Sequence, residues 1–382
     1  MIVNHNSIMQ TDVLIIGQGI CGTFLSWYLE QAGVSYIVID EAKPFTASKA
    51  AAGIINPVTG RRIVKTWMID ELMPFVREAY QRIGTELGIV CMEQKNLVDF
   101  FPTPQMRLAF LKRYEEDPQY LQLPDNEHDR DECFRYDFGY GVISPCWLVD
   151  LPGLLEAHRK KLLAQEVLLE ERFEQGALIV KADGVVREER DIPGGAGIEA
   201  GHIQYKDIRA GKVIFCDGIE SFANPYFSLL PFAPNKGEAL VLEIPDLAGE
   251  AASNALFKKS ITLAPWRQGL YWVGSSYEWS FTHTEPTEVF RERTEQALKE
   301  WLKVPFKTVD HIASVRPATL ERRPFVGLHP RYPAIGILNG MGTKGCSLAP
   351  YFASQLVDRI TKGTPIQADA DVKRFSGVLK RG

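Results

Sequence analysis

Long apolar runs are missing from this 382-residue chain. No stretch approaches the roughly 18 consecutive apolar residues of a membrane helix. The first ten residues, Met1 to Gln10, have no apolar core like that of a secretory signal. A membrane partner is therefore not expected, and the expected location is cytoplasmic. Cysteine is sparse: Cys21, Cys91, Cys133, Cys146, Cys216 and Cys346 are scattered and form no C-x-x-C pair. With no export signal, free buried thiols in a reducing compartment are expected rather than disulfides. The seven histidines are dispersed without metal-ligand spacing, so no metal site is expected. An excess of positive charge is missing too. Lys and Arg number 43 against 48 Asp and Glu, a net charge of −5, and no chain-wide basic footprint for nucleic acid results.

What is present is an ordinary globular composition, 45% hydrophobic and 24% charged. The length predicts two domains, or one large domain with an insertion, and a core large enough to enclose a cofactor.

The most informative stretch runs from Thr11 to Asp40. Val13-Leu14-Ile15-Ile16 reads as a buried strand and leads into Gly17, Gly19 and Gly22, spaced G-x-G-x-x-G. A helix comes next, with Phe24, Leu25, Tyr28 and Leu29 on its apolar side, and Gly33 ends it. Tyr36-Ile37-Val38-Ile39 is a second buried strand ending on Asp40, and Glu41 opens the turn after it. Strand, glycine turn, helix and acidic strand end together are the fingerprint of a dinucleotide site. Gly17 allows the tight turn, Gly19 lets backbone approach a pyrophosphate, and Gly22 lets helix and strand pack closely. Ile20 and Cys21 open the helix, whose N-terminus offers N–H groups to the phosphates. Asp40 stands where a carboxylate accepts from ribose hydroxyls and repels a 2′-phosphate, which disfavours NADP. FAD and NAD both remain open on this stretch alone.

Beyond it, Thr46 to Arg62 is rich in small residues. Ser48, Ala51, Ala52, Gly53 and Ile54 would let backbone lie flat against something large and planar. Helices are predicted over 65–84, 105–116, 147–164 and 286–304, the last capped by Thr284 or Thr287. Residues 118–137 read as loop, 191–197 as an exposed glycine-rich loop, and 232–276 as antiparallel sheet. Lys212 to Cys216 is a buried strand running into Asp217-Gly218. Near the other end, Ile335-Gly336-Ile337-Leu338 feeds Asn339-Gly340-Met341-Gly342-Thr343-Lys344-Gly345 and a final helix from about Leu348 to Ile360. This second glycine-rich strand-to-helix turn lacks the G-x-G-x-x-G spacing at a strand end and any acidic strand after it. One long cofactor touched at both ends of the chain explains both turns, and FAD is long enough.

These residues resemble the D-amino-acid-oxidase-like family of FAD-dependent oxidoreductases, which includes glycine oxidase, sarcosine oxidase and the oxidase domain of a bifunctional tRNA wobble-uridine modification enzyme. The resemblance rests on the N-terminal fingerprint, on Ala47 to Ile55, on Cys216-Asp217-Gly218, and on Lys236-Gly237-Glu238. It continues through Gly274-Ser275-Ser276, Arg316-Pro317-x-Thr319, Pro324-x-x-Gly327, and Gly340 to Gly345 with Leu348-Ala349-Pro350 beyond. It implies an α/β chain with a Rossmann-like FAD-binding domain (1–85, 145–230 and 310–382) and a discontinuous antiparallel-sheet substrate domain (86–144 and 231–309). It implies non-covalent FAD held by Gly17, Gly19, Ile20, Cys21, Gly22, Asp40, Glu41, Ser48, Ala51, Ala52, Gly53, Ile54, Phe173, Cys216, Asp217, Gly218 and the turn Gly340, Met341, Gly342, Thr343, Lys344, Gly345.

The implied reaction is oxidation of a C–N bond in an amino acid or in a secondary amine bearing a carboxylate, by hydride transfer to flavin N5. Oxygen or another acceptor would take the electrons. In glycine and D-amino acid oxidases the arginine of the Arg-Pro motif grips the substrate carboxylate, and the matching residue is Arg316. Lys344 and Tyr277 are further pocket candidates, and Arg61 and Arg62 weaker ones. Three positions depart from the amino-acid-oxidase pattern: Thr262 stands near the place of a substrate tyrosine, Met341 replaces a histidine, and Gly342-Thr343-Lys344-Gly345 is nearer to the tRNA-modifying oxidase. A carboxymethylaminomethyl-type tRNA nucleoside is thus the alternative substrate. An NAD-dependent dehydrogenase is the alternative of another class.

Overall fold

The computed structural model describes residues 8–180, 203–247 and 255–381. The glycine-rich loop 191–197 lies outside them. Contacts divide the chain into two units: Met1–Lys49, Pro152–Pro234 and Arg316–Gly382 form one, and Ala50–Leu151 with Asn235–Val315 the other. Residues 50–85, read from sequence with the first domain, group with the second unit.

In the first unit, Val13 to Ile16 is uniformly apolar because its strand has a parallel neighbour on either side and both faces are covered. Met9–Ile16 lies between Tyr36–Ile39 and Ile208–Phe215 in an eight-stranded sheet. Ile335–Asn339 pairs in parallel with the latter half of Ile208–Phe215, and Phe325–Leu328 pairs antiparallel with Ile335–Asn339. The strand register brings the ends of four strands level. Ile16 lies beside both Ile39 and Phe215, and Phe215 beside Ile337. The next residues, Gly17, Asp40, Cys216 and Leu338, therefore line one carboxyl edge, where open α/β sheets bind ligands.

The second unit holds a nine-stranded sheet. Lys307–Arg316, Asn235–Glu243, Tyr271–Gly274, Thr262–Pro265 and Ala255–Lys258 lie in that order, and Ala255–Lys258 joins Met92–Phe100 in the one parallel step given by register. Tyr140–Val149 and Ile54–Ile55 complete the order. Its core is aromatic: Phe134 sits 5.0 Å from Phe100, 4.7 Å from Phe257 and 5.2 Å from Trp301, centroid to centroid. The buried Lys236–Glu238 ion pair (3.0 Å) is satisfied further by Thr287, whose N–H and hydroxyl donate to Glu238 at 2.6 and 2.9 Å. Thr287 is also the N-cap of helix Glu288–Trp301, the second of the two caps the sequence offers.

Three local expectations need correction. Trp147 to Val149 end a strand rather than start a helix, because they pair with Ile54–Ile55 and Met92–Gln94; the helix is Leu151–Ala164, with Pro152 in its first turn. The 118–137 loop contains the short strand Leu121–Gln122. The last helix begins at Gly345, three residues before the expected start.

Candidate cofactor-binding and active site

Helix Ile20–Gln31 starts at the carboxyl edge of the first sheet. Its N-cap residue is Gly19, which has no side chain to satisfy the first N–H groups. Ser48 does part of that work from a distance, accepting from Ile20 N–H at 3.1 Å. Thr23 N–H closes the first helical turn on Gly19 O at 2.9 Å. The N–H groups of Gly19, Cys21 and Gly22 find no acceptor among the described residues. Open N–H groups at a helix start, in glycine-rich backbone, fit an anion such as a pyrophosphate.

Two of the three glycines are required by space. Gly17 has φ +99°, and a Cβ there would meet Cys216 O at 2.7 Å. A Cβ on Gly22 would lie 1.9 Å from Gly17 O. A Cβ on Gly19 would meet only Ser48 Oγ, at 3.2 Å, so this glycine leaves an approach open.

Asp40 is more committed than the sequence suggests. Its carboxylate accepts from Gln18 N–H at 2.8 Å, Ala42 N–H at 2.8 Å and Arg159 Nη1 at 2.7 Å. About one of its roughly four acceptor positions is left for a ribose hydroxyl. Arg159 also binds Gln18 Oε1 at 3.1 Å and Glu170 at 2.8 Å, and so locks helix Leu151–Ala164 to the strand end. Sequence reasoning misses Gln18, which fills an unspecified position of the glycine motif, and Arg159, which belongs to no local pattern. Glu41 pairs with Lys43 (2.8 Å), and Lys43 reaches Glu220 at 2.7 Å.

On the other side of Gly17, Cys216, Asp217 and Gly218 close the strand Ile208–Phe215. Asn339 gathers this turn: its Nδ2 donates to Gly218 O at 2.8 Å and to Ser221 Oγ at 2.9 Å, while its Oδ1 accepts from Gly340 N–H at 2.8 Å. The second glycine turn is thereby tied to the Asp217-Gly218 turn. Gly340 has φ +77°, and a Cβ there would meet Thr319 at 2.7 Å. Gly342 N–H donates to Pro317 O at 3.1 Å, which places the Arg316-Pro317 segment against this turn. Lys344 N–H is spent on Met341 O. Arg316 and Lys344 are both half-buried, Met341 is buried, and Thr343 is exposed. Gly345 packs toward Ile20, 3.6 Å from its would-be Cβ. Phe173 stacks on Tyr205 at 5.0 Å.

In the second unit, the small-residue segment is pinned flat. Gly53 has φ +82°, and its would-be Cβ lies 1.9 Å from Val149 O. Ile54 pairs with Leu148, and Trp272 Nε1 donates to Ala50 O at 3.1 Å. Ala52 is buried, whereas Ala51 and Ile54 are partly exposed. Tyr277 is 49% exposed and meets Trp279 edge-on at 5.2 Å. Arg61 and Arg62 are exposed beyond the short strand Val58–Thr59. None of the six cysteines is in a disulfide, and burial pushes the Cys21 thiol up to about 12, so it is no nucleophile. Among the described residues, no helix is long and apolar enough to cross a membrane.

The supply of a cap by Ser48 can be tested. Ser48→Ala is expected to weaken the helix start by about 1 kcal/mol, seen as a roughly fivefold rise in the FAD dissociation constant. Ser48→Thr keeps the hydroxyl and should bind FAD nearly as the parent does in the same fluorescence titration.

A sheet whose carboxyl edge offers a glycine cradle, open helix N–H groups and an acidic strand end defines a dinucleotide-binding protein. The chain belongs to the FAD dependent oxidoreductase (DAO) family, whose model matches residues 12–359. It is an FAD-dependent enzyme, and the NAD-dependent alternative falls away. Glycine oxidase of Pseudomonas aeruginosa is 24% identical over 374 residues, spanning 94% of this chain and 97% of that protein. Iminodiacetate oxidase from Chelativorans sp. BNC1 shares the fold at a TM-score of 0.71 and 18% identity, covering 94% of this chain and 98% of that one. Glycine oxidase from Geobacillus kaustophilus does so at 0.73 and 15%, covering 95% and 98%.

Proposed function

We propose that this enzyme oxidises the C–N bond of an amino acid or of a secondary amine bearing a carboxylate. The observation that carries the reading is the hydrogen bond from Gly342 to Pro317, which sets Arg316 beside the second glycine turn. The open N–H groups of Gly19, Cys21 and Gly22 hold the pyrophosphate, in the turn that Gly17 and Ile20 shape, with Asp40 on the adenosine ribose, and Gly340 to Gly345 serve the flavin end. Bound FAD supplies a hydride acceptor at N5 and a route for the electrons to oxygen or another acceptor.

The chain's own residues do the rest. Arg316 grips the substrate carboxylate through two parallel hydrogen bonds and so orients the neighbouring C–H. Lys344 adds positive charge at the same turn. Half-burial of both residues strengthens these interactions by limiting water. No side-chain base is required, because the amine need only be unprotonated as hydride leaves the carbon.

Names of the relatives support this class, since glycine and iminodiacetate are both amines bearing carboxylate. The test is a spectral screen. The purified protein is expected to be yellow, and anaerobic addition of one or more small amino acids, N-alkyl glycines or iminodicarboxylates should bleach the flavin band. Bleaching only by modified nucleosides would move the substrate to tRNA. Bleaching by none of these compounds would overturn the amine assignment.

A further inference from the structure

A carboxyl group stands at the carboxyl edge of the first sheet where an anion is to be bound. A Cβ on Gly17 would lie 3.2 Å from Asp217 Cα, so Asp217 is the immediate neighbour of the pyrophosphate turn. Its side chain has only neutral hydrogen-bond partners among the described residues: the Ser221 hydroxyl, which donates a short bond to Oδ1, and Asn339 Nδ2 at 3.4 Å. Ser221 and Asn339 are themselves buried, at 0% and 2% exposure. Asp217 precedes the turn Gly218–Ala223 but caps no N–H of it, so helix capping does not explain the residue. No lysine or arginine among the described residues is within ion-pair distance of it. The nearby cation, Lys43, is engaged by Glu41 and Glu220.

We propose that Asp217 takes up a proton when FAD binds, so that cofactor binding and protonation of this carboxyl are one coupled equilibrium. Two negative charges of a pyrophosphate, brought beside a carboxylate that has no cation of its own, favour its neutral form. The neutral carboxyl can keep Ser221 and Asn339 as partners, because a protonated carboxyl retains acceptor capacity. Charges around it set the balance. Burial pushes the carboxyl up to about 7; the Ser221 hydroxyl and Lys43 pull it down, and Glu220 pushes it further up. Cys216, beside it in the chain, has its own thiol raised by burial and stays neutral. The groups facing Asp217 are thus Glu220 from its own turn, Lys43 from the loop after Tyr36–Ile39, itself paired with Glu41, and the neutral Ser221, Asn339 and Cys216.

Linkage gives the sign. Below about pH 7 the free protein already carries the proton, and affinity is flat with pH. Above it, binding must draw a proton from solvent, and affinity falls by about tenfold per pH unit.

The inference rests on reading Gly17–Gly22 as the pyrophosphate turn, and the test separates the two. Calorimetry of FAD and of ADP binding to the apoprotein at pH 8, in two buffers of different ionisation enthalpy, counts protons directly. The parent is expected to take up close to one proton with either ligand. Asp217→Asn is expected to take up close to none and to lose the pH slope, with FAD bound as tightly at pH 8.5 as at pH 7. If ADP binds without proton uptake, or if Asp217→Asn keeps the uptake, the coupling is overturned. If FAD binds and ADP does not, the pyrophosphate reading of the turn fails instead. The proton count on the unmodified chain decides the matter even where Asp217→Asn does not fold.

Discussion

Gly22→Ala is expected to emerge from purification with little bound FAD, while Gly377→Ala stays yellow. The added methyl of Gly22→Ala would lie 1.9 Å from Gly17 O, roughly half an ordinary contact distance, and that oxygen is backbone while the methyl is fixed directly to Cα. At Gly377 nothing lies within 4 Å of the same methyl. Overpacking costs about 1–3 kcal/mol where flexible side chains can yield. Here the helix start itself must move away from the strand end. The upper part of that range corresponds to about a hundredfold in the dissociation constant. The displaced groups are the open N–H donors of Gly19, Cys21 and Gly22, so the loss should fall on FAD binding more heavily than on thermal stability. FAD fluorescence titration together with a melting curve measures both. Equal FAD retention by Gly22→Ala and the parent would remove Gly17–Gly22 from the cofactor site.

Much of this cradle is legible in the sequence because its causes are local. Val13 to Ile16, the three glycines and Asp40 lie within one strand–helix–strand unit, and each is dictated by close backbone approach or by position at a strand end. The turn at Gly340 to Gly345 is legible for the same reason. What escapes a sequence reading comes from distance along the chain. Arg159 meets Asp40 across 119 positions, and Asn339 meets Ser221 across 118. No periodicity or spacing marks either. Arg159 in sequence is one more basic residue on a helix, and Asn339 one more turn former.

The same limit explains the local errors. Trp147 to Val149 are compatible with a helix start by pattern, and only pairing with Ile54–Ile55 and Met92–Gln94 makes them strand. Asp40 shows a subtler gap: its acidic character is legible, but not that Gln18, Ala42 and Arg159 already use most of its acceptor capacity. Asp40 therefore has a structural duty at the strand end, beside the ribose recognition proposed for it.

Arg316→Met is expected to abolish most turnover while leaving the flavin spectrum and FAD affinity nearly unchanged. Arg316 ends the strand Lys307–Arg316, and the next residue, Pro317, accepts from Gly342. Its backbone is thus fixed from two directions, and methionine preserves much of the apolar stem. What is removed is the guanidinium. Truncating one partner of a buried, hydrogen-bonded charge pair costs about 2–5 kcal/mol, or roughly 30- to 5,000-fold in kcat/KM. Arg316→Lys should recover only part, because an ammonium is a point charge and lacks the paired donors that hold a carboxylate in one plane. Anaerobic stopped-flow separates binding from orientation. A loss confined to the apparent substrate dissociation constant means simple attraction, whereas a fall in the limiting rate of flavin reduction means that Arg316 aims the C–H bond. The decisive comparison is a substrate pair. Removing the carboxylate from a good amine substrate should slow the parent severely and Arg316→Met hardly at all. If both proteins lose the same factor, Arg316 serves the fold and the carboxylate is bound elsewhere.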